Sequence, residues 1–170
     1  MLFSLRSFIL LLYLIVIAAL MAVDQIIKLI VVSSLKPIGT FVLIPHFLEF
    51  TYSENSGAAF GMLQNNSIFF AAVTVLVSAV IFGFLVKYKH HNLLSKISCV
   101  MIIAGGLGNL IDRLRLRYVI DFIHFYFFGY IFNFADCLVT VGVALMVIFV
   151  IFFMDKIEKK DKLSGENGNE

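Results

Sequence analysis

Two aspartates stand where this sequence is otherwise almost entirely apolar. Asp121 lies in VIDF and Asp136 closes FNFAD, and neither has a basic residue beside it. Removal from water raises a carboxyl pKa, and a second carboxylate nearby raises one of the two further. Two aspartates that share a proton can activate a water with the basic member while the acidic member polarises a peptide carbonyl. Asp121 and Asp136 are therefore a candidate acid–base dyad, provided the fold brings them together. Two more carboxylates, Asp24 and Asp112, stand near bases. Asp24 and Lys28 are four apart and share a helix face, where they can pair; Asp112 precedes Arg113. Asn109 lies on the face of Asp112 and Arg113 by helical spacing. The residues alone leave open whether these pairs serve a site or only hold helices together.

The elements that must position these groups are set by composition. The 170 residues are 61% hydrophobic and 14% charged, with a mean hydropathy of +1.01. A soluble domain carries roughly a quarter charged residues, so too little polar surface remains here for water. A spanning helix needs about 20 apolar residues, and four runs meet this, at residues 8–35 (interrupted once), 68–86, 97–114 and 137–154. The chain reads as one integral membrane domain covering residues 1–170. The first run has the basic start of a signal peptide, at Arg6, but its apolar body is too long and resumes as LIVVSSL, so it reads as a retained span.

Basic residues orient the spans. Arg6, Lys87, Lys89, Lys96 and the tail lysines Lys156, Lys159, Lys160 and Lys162 mark one side, against Lys36, Arg115 and Arg117 in the opposite connections. The positive-inside rule places both termini in the cytoplasm and the long connections outside. All four aspartates then map to the outer end. The first outer connection is rich in Thr, Val, Ile, Phe and Tyr, which favours strands and a small extracytoplasmic sheet. The aromatic VIDFIHFYFFGYIF suits the headgroup level. The mixed-charge tail, residues 155–170, reads as a disordered cytoplasmic end.

Other polar and small residues read more plainly. Gly105, Gly106 and Gly108, and the GAAFG run at 57–61, fit close helix packing. Cys99 and Cys137 lie within apolar runs and read as small buried hydrophobes. His90 and His91 fall at the cytoplasmic end, so no metal-ligand set forms with the aspartates. A small proton-coupled transporter is the alternative for intramembrane carboxylates, but inverted repeats are not visible.

DQIIK, ENSGAAF, GGLGNLIDR, VIDF and FNFAD, in that order over four spans, resemble the bacterial lipoprotein signal peptidase (signal peptidase II) family along nearly the whole chain. The resemblance implies an all-α membrane protein with four transmembrane helices, a small extracytoplasmic β-rich cradle and an interfacial flap. It implies an aspartic endopeptidase of the bacterial cytoplasmic membrane. Such an enzyme removes the signal peptide from diacylglyceryl-modified prolipoproteins, cutting just before the lipidated cysteine. The catalytic positions correspond to Asp121 and Asp136, and the supporting positions to Asp24, Lys28, Asn55, Asn109, Arg113 and Asn133. No cofactor, metal or nucleic acid is expected; the partners are the prolipoprotein and membrane lipids, and the chain is expected to be a monomer. Many members have a glycine in H-G-x-V before the V-x-D-F position; Arg117 and Tyr118 stand there in this chain.

Overall fold

A computed structural model of the protein describes residues 5–57, 66–154 and 156. Four helices form a bundle: α1 (Leu5–Ile30), α2 (Ser67–Lys87), α3 (Leu93–Leu116) and α4 (Phe134–Phe149). α1 and α4 each run on as a π-helical turn, Val31–Leu35 and Val150–Met154. By length and apolar composition all four can cross a membrane. α3 and α4 begin before their apolar runs, at polar caps. The Asn92 side chain accepts from the Ser95 amide at 2.9 Å and starts α3; Asn133 does the same for α4. Hydropathy does not register a polar cap, so the sequence places these starts too late. The polar break at Asp24–Lys28 lies inside one continuous α1.

α3 is the centre of the bundle. Over half of its most apolar stretch is buried (56%), against 11%, 11% and 17% for α1, α2 and α4. The outer helices turn Leu, Ile, Val and Phe side chains outward, a surface for lipid and not for water. Glycine makes this packing possible. A Cβ on Gly105 would strike the backbone of Ala135 on α4, and one on Gly108 would come within 2.9 Å of an Asp24 carboxylate oxygen on α1. Gly106 faces Ser78 and Thr74 of α2. The expected small-residue packing is thus present at all three α3 glycines. Cys99 is buried as expected, but Cys137 is exposed. It sits between Asp136 and Leu138 on the outward side of α4, where burial in a bilayer means contact with lipid and not with protein.

The two outer connections build one antiparallel sheet, β1 (Thr40–Ile44), β2 (Leu48–Asn55), β3 (Val119–Phe125) and β4 (Ile131–Phe132), ordered β1-β2-β3-β4. The second connection, read from sequence only as aromatic and interfacial, therefore supplies half of the strands. The sheet is seated on the bundle by Val31, Leu35, Ile120 and Phe122. A register shift between Phe50 and Ser53 breaks the β2–β3 ladder and sets Ser53 opposite Asp121. Bulges of this kind re-aim side chains beside functional sites. Residues 58–61 of GAAFG and the tail, apart from Lys156, lie outside the described residues.

The turn from α3 to β3 carries strain. Arg117 caps α3 with φ +70°, its amide bonded to the Arg113 carbonyl at 3.2 Å. Left-handed backbone costs a non-glycine residue about 1–2 kcal/mol, and glycine is the usual occupant of this cap. Arg117 is also the position where H-G-x-V has its glycine, so the departure is a strained cap. Arg117→Gly is expected to stabilise the protein by up to about 1 kcal/mol, the relief being partly offset by glycine's unfolded-state entropy. Denaturant unfolding in detergent would read this; a loss of stability would mean that the arginine side chain outweighs its backbone strain.

Candidate active site

Asp136 is the third residue of α4, and its position is fixed by reciprocal capping. The Asn133 side-chain oxygen accepts from the Asp136 amide at 2.8 Å, and the Asp136 carboxylate accepts from the Asn133 amide at 3.2 Å. This capping box also places the carboxylate at the positive end of the helix. The other end of the Asn133 side chain, its Nδ2, donates to Asp121 Oδ1 at 2.6 Å. One buried asparagine therefore ties together the two aspartates. On β3, Asp121 Oδ2 accepts from Asn55 Nδ2 at 2.9 Å, across the bulged β2–β3 ladder.

A second layer fixes the first. Asn109 Nδ2 donates to Asp136 Oδ1 at 2.8 Å, and Asn109 Oδ1 accepts from Lys28 Nζ at 2.9 Å. An ammonium can only donate, so Lys28 sets the orientation of the amide and turns its NH2 toward Asp136. Lys28 is 2% exposed and Asp24 is fully buried. The ammonium also pairs with Asp24 at 2.9 Å and with Asp112 at 2.8 Å, so its three donors all have partners. The two carboxylates then pin backbone. Asp24 accepts from the Ala135 amide at 3.0 Å, next to Asp136. Asp112 accepts from the Ile120 amide at 3.3 Å, next to Asp121. Gln25 Nε2 closes the network onto Asp112 at 3.0 Å and onto the Gly108 carbonyl at 3.2 Å.

The pair expected at Asp112–Arg113 is replaced by Asp112–Lys28. Neighbours in a helix point about 100° apart, and Asp112 faces α1. Arg113 turns the other way. Its Nη1 reaches the Asn109 carbonyl at 3.4 Å, and its guanidinium lies 5.5 Å from the centroid of the Phe70 ring. With Asn109, Asp136 and Tyr130 it lines a cavity of about 530 Å³ between α2, α3, α4 and the β3–β4 loop. Thr74, Ser78 and Gly106 form the small-residue side of this cavity, and Val73, Ile102 and Val139 are apolar wall.

All eight sequence-derived site residues thus converge: Asp121, Asp136, Asn133, Asn55 and Asn109 directly, Lys28 and Asp24 behind them, and Arg113 on the cavity wall. Gln25 and Tyr130 are additions. Nothing in DQIIK marks Gln25 as a bridge from α1 to α3, and Tyr130 is one aromatic among many until the strand pairing brings it to the cavity. Burial raises the Tyr130 phenol, and the charges of Asp136 and Asp121 raise it further. Burial, then the charge of Asp136, pushes the Asp121 carboxyl up to about 7, against the lowering effect of its bonds from Asn133 and Asn55. That value lets Asp121 hold a proton near neutral pH. Among the described residues no cluster of His, Cys, Asp or Glu is arranged to hold a metal ion.

Lys28→Met keeps the length of the stem and removes the charge. Asp24 and Asp112 then stay buried without their cation, a loss of about 3–5 kcal/mol for a broken buried pair. Unfolding in detergent is expected to show a loss of that size, and Lys28→Arg is expected not to restore activity fully, because a planar fork cannot make the same three-way contact. A stability change under about 1 kcal/mol for Lys28→Met would remove the ammonium from this role.

Comparison with known proteins agrees with the geometry. A family model described as signal peptidase (SPase) II matches residues 16–152. A lipoprotein signal peptidase of Caldanaerobacter subterraneus subsp. tengcongensis is 43% identical over 138 residues, covering 81% of this chain and 94% of the relative. One from Clostridioides difficile is 40% identical over 147 residues, covering 85% and 98%. Two solved structures, each titled as a bacterial membrane enzyme determined by the in meso method, superpose with TM-scores of 0.74 and 0.73 at 36% identity. The first covers 82% of this chain and 87% of its own, the second 84% and 94%. The transporter alternative has no such support. A four-helix membrane bundle, two aspartates joined through one asparagine and a match over most of the chain lead to one assignment: the protein belongs to the signal peptidase II family, the membrane aspartic peptidases that process lipoproteins.

Proposed function

We propose that Asp121 and Asp136 are the catalytic pair with which this enzyme cuts the signal peptide from diacylglyceryl-modified prolipoproteins. The observation that carries the assignment is the Asn133 side chain, bonded at once to the Asp121 carboxylate and to the Asp136 amide. Asp136 lines the cavity while Asp121 is 1% exposed behind it. With Asp121 holding the shared proton, Asp136 accepts a proton from a water as that water attacks the scissile carbonyl. Asp121 donates to the carbonyl oxygen. As the tetrahedral gem-diol collapses, Asp136 gives its proton to the leaving amine and one diol hydroxyl returns its proton to Asp121 as the carbonyl re-forms, so the pair is back in its starting state.

The surrounding residues supply position. A short apolar segment of the signal peptide, next to the scissile bond, can enter the cavity between α2, α3 and α4, where Thr74, Ser78 and Gly106 leave room for its backbone. The diacylglyceryl chains can stay in the surrounding lipid. Holding the peptide and its lipid at once fixes the scissile bond, and orientation of this kind is worth several kcal/mol of barrier. Arg113 and Asn109 reach the same cavity and are placed to bind substrate carbonyls. The basic connection between α2 and α3 supports a site at the extracytoplasmic face with both termini inside.

Asp121→Asn and Asp136→Asn are nearly isosteric. Each variant is expected to fold and bind lipidated prolipoprotein, with turnover lower by a factor of about 100–10,000 or more. Near-wild-type cleavage by either folded variant would end the assignment. The rate is expected to be bell-shaped in pH, with limbs that belong to the pair. Asp121 keeps its proton below about 7 and loses it above, so the acid form disappears on the alkaline limb. The bond from Asn55 lowers Asp121, so Asn55→Ala is expected to move that limb to higher pH; an unmoved limb would deny Asn55 its part in tuning the pair. Reporters fused within Lys87–Lys96 are expected to read cytoplasmic and reporters near Pro45 outside. The reverse would put the aspartates on the wrong face for exported substrates.

A further inference from the structure

At the end of the bundle away from the aspartates, a second cavity of about 510 Å³ opens between α1, α2 and α3. Its walls are Ile9, Leu10 and Leu85, and they merge with the outward apolar surface of α1, where Phe8, Leu11 and Leu12 are exposed. Its rim carries two lysines, Lys89 and Lys96, with His91 beside them, and no carboxylate is among the lining residues. Tyr88, a residue type enriched at the membrane interface, stands beside them.

The rim is built and not merely a tail of charge. His91 Nδ1 lies 2.7 Å from Ser95 Oγ and its Nε2 lies 3.1 Å from the Phe84 carbonyl. One imidazole thus ties the α2–α3 connection to the end of α2 and to the first turn of α3. Phe84 stacks on Tyr88 at 4.9 Å, and Tyr88 meets His91 edge to face at 5.1 Å. The connection that carries Lys89 is thereby held, and half-buried Lys96 sits one turn into α3.

We propose that this cavity binds one anionic phospholipid from the leaflet opposite the aspartates, with its phosphodiester between Lys89 and Lys96 and an acyl chain along Ile9, Leu10 and Leu85. An occupant must be apolar where the walls face lipid and anionic at the rim, and a phospholipid has both parts in that order. Basic pockets between helices on the cytoplasmic side bind such headgroups. The catalytic machinery contributes nothing to this site, so the two readings stand or fall separately.

Native mass spectrometry of the full chain in neutral detergent, titrated with phosphatidylglycerol or phosphatidylcholine, tests it. The expected result is a saturable single adduct with phosphatidylglycerol, weakened roughly 10–30-fold in Lys89→Ala/Lys96→Ala. Lys87, exposed at the same end, is not in the cavity lining, so Lys87→Ala is expected to change binding less than about 3-fold. Cleavage of lipidated substrate by the double variant, at a rate near wild type, shows that it is folded. Equal binding of phosphatidylcholine, or an equal loss in Lys87→Ala, would overturn the proposal in favour of general surface attraction. Displacement of the adduct by millimolar glycerol 3-phosphate would also overturn it, since the site would then bind a free phosphate.

Discussion

The buried ammonium of Lys28 is the contact on which the rest of the site depends. It lies between Asp24, Asp112 and Asn109 at 2.8–2.9 Å, joining α1 to α3. A buried ion pair is weak evidence for stability in itself, because desolvation offsets most of its attraction. Its value here is geometric. Each carboxylate also accepts from a backbone amide, Asp24 from Ala135 beside Asp136 and Asp112 from Ile120 beside Asp121. The cation is thereby converted into the placement of the first turn of α4 and the start of β3.

The two aspartates proposed as the catalytic pair sit on unlike elements. Asp136 opens a membrane helix, where the capping box and the helix N-terminus hold it. Asp121 sits on a strand of the outer sheet, brought inward by the β2–β3 register shift. At this boundary between bundle and sheet, Asp121 is buried while Asp136 lines the cavity. That arrangement separates their environments, which is how one residue type can serve as both acid and base. Asparagine suits the connection between them, since one amide donates and accepts in the same plane while carrying no charge that would titrate.

Much of this was legible in the sequence, and the misses have physical causes. Hydropathy located the spans, because lipid tolerates little else at those positions. Asp24–Lys28 was readable because helical spacing makes i,i+4 neighbours touch. Asp112 was not, since its true partner lies on another helix and its neighbour in sequence points elsewhere. The helix starts at Leu93 and Phe134 were missed where a polar cap precedes the apolar run. Asn55 and Asn133 were marked by resemblance alone, since outside a helix an uncharged amide has no periodicity to betray it, whereas helical spacing already set Asn109 on the face of Asp112 and Arg113. Tyr130 and Gln25 left no trace, because each matters through a tertiary contact. Cys137 shows the converse limit, for an apolar run in a membrane protein does not distinguish contact with protein from contact with lipid.

The central claim is that Asp121 and Asp136 act on each other across the gap that Asn133 bridges. Carbon-13 NMR of labelled aspartate carboxyls in detergent, with Asp121 assigned by substitution, reads this without any substrate. The account predicts an Asp121 carboxyl that titrates near 7 and moves to lower pH in Asp136→Asn, where the neighbouring charge is gone. An Asp121 carboxyl whose titration is the same with aspartate or asparagine at residue 136 would contradict it, because the two groups would then be independent.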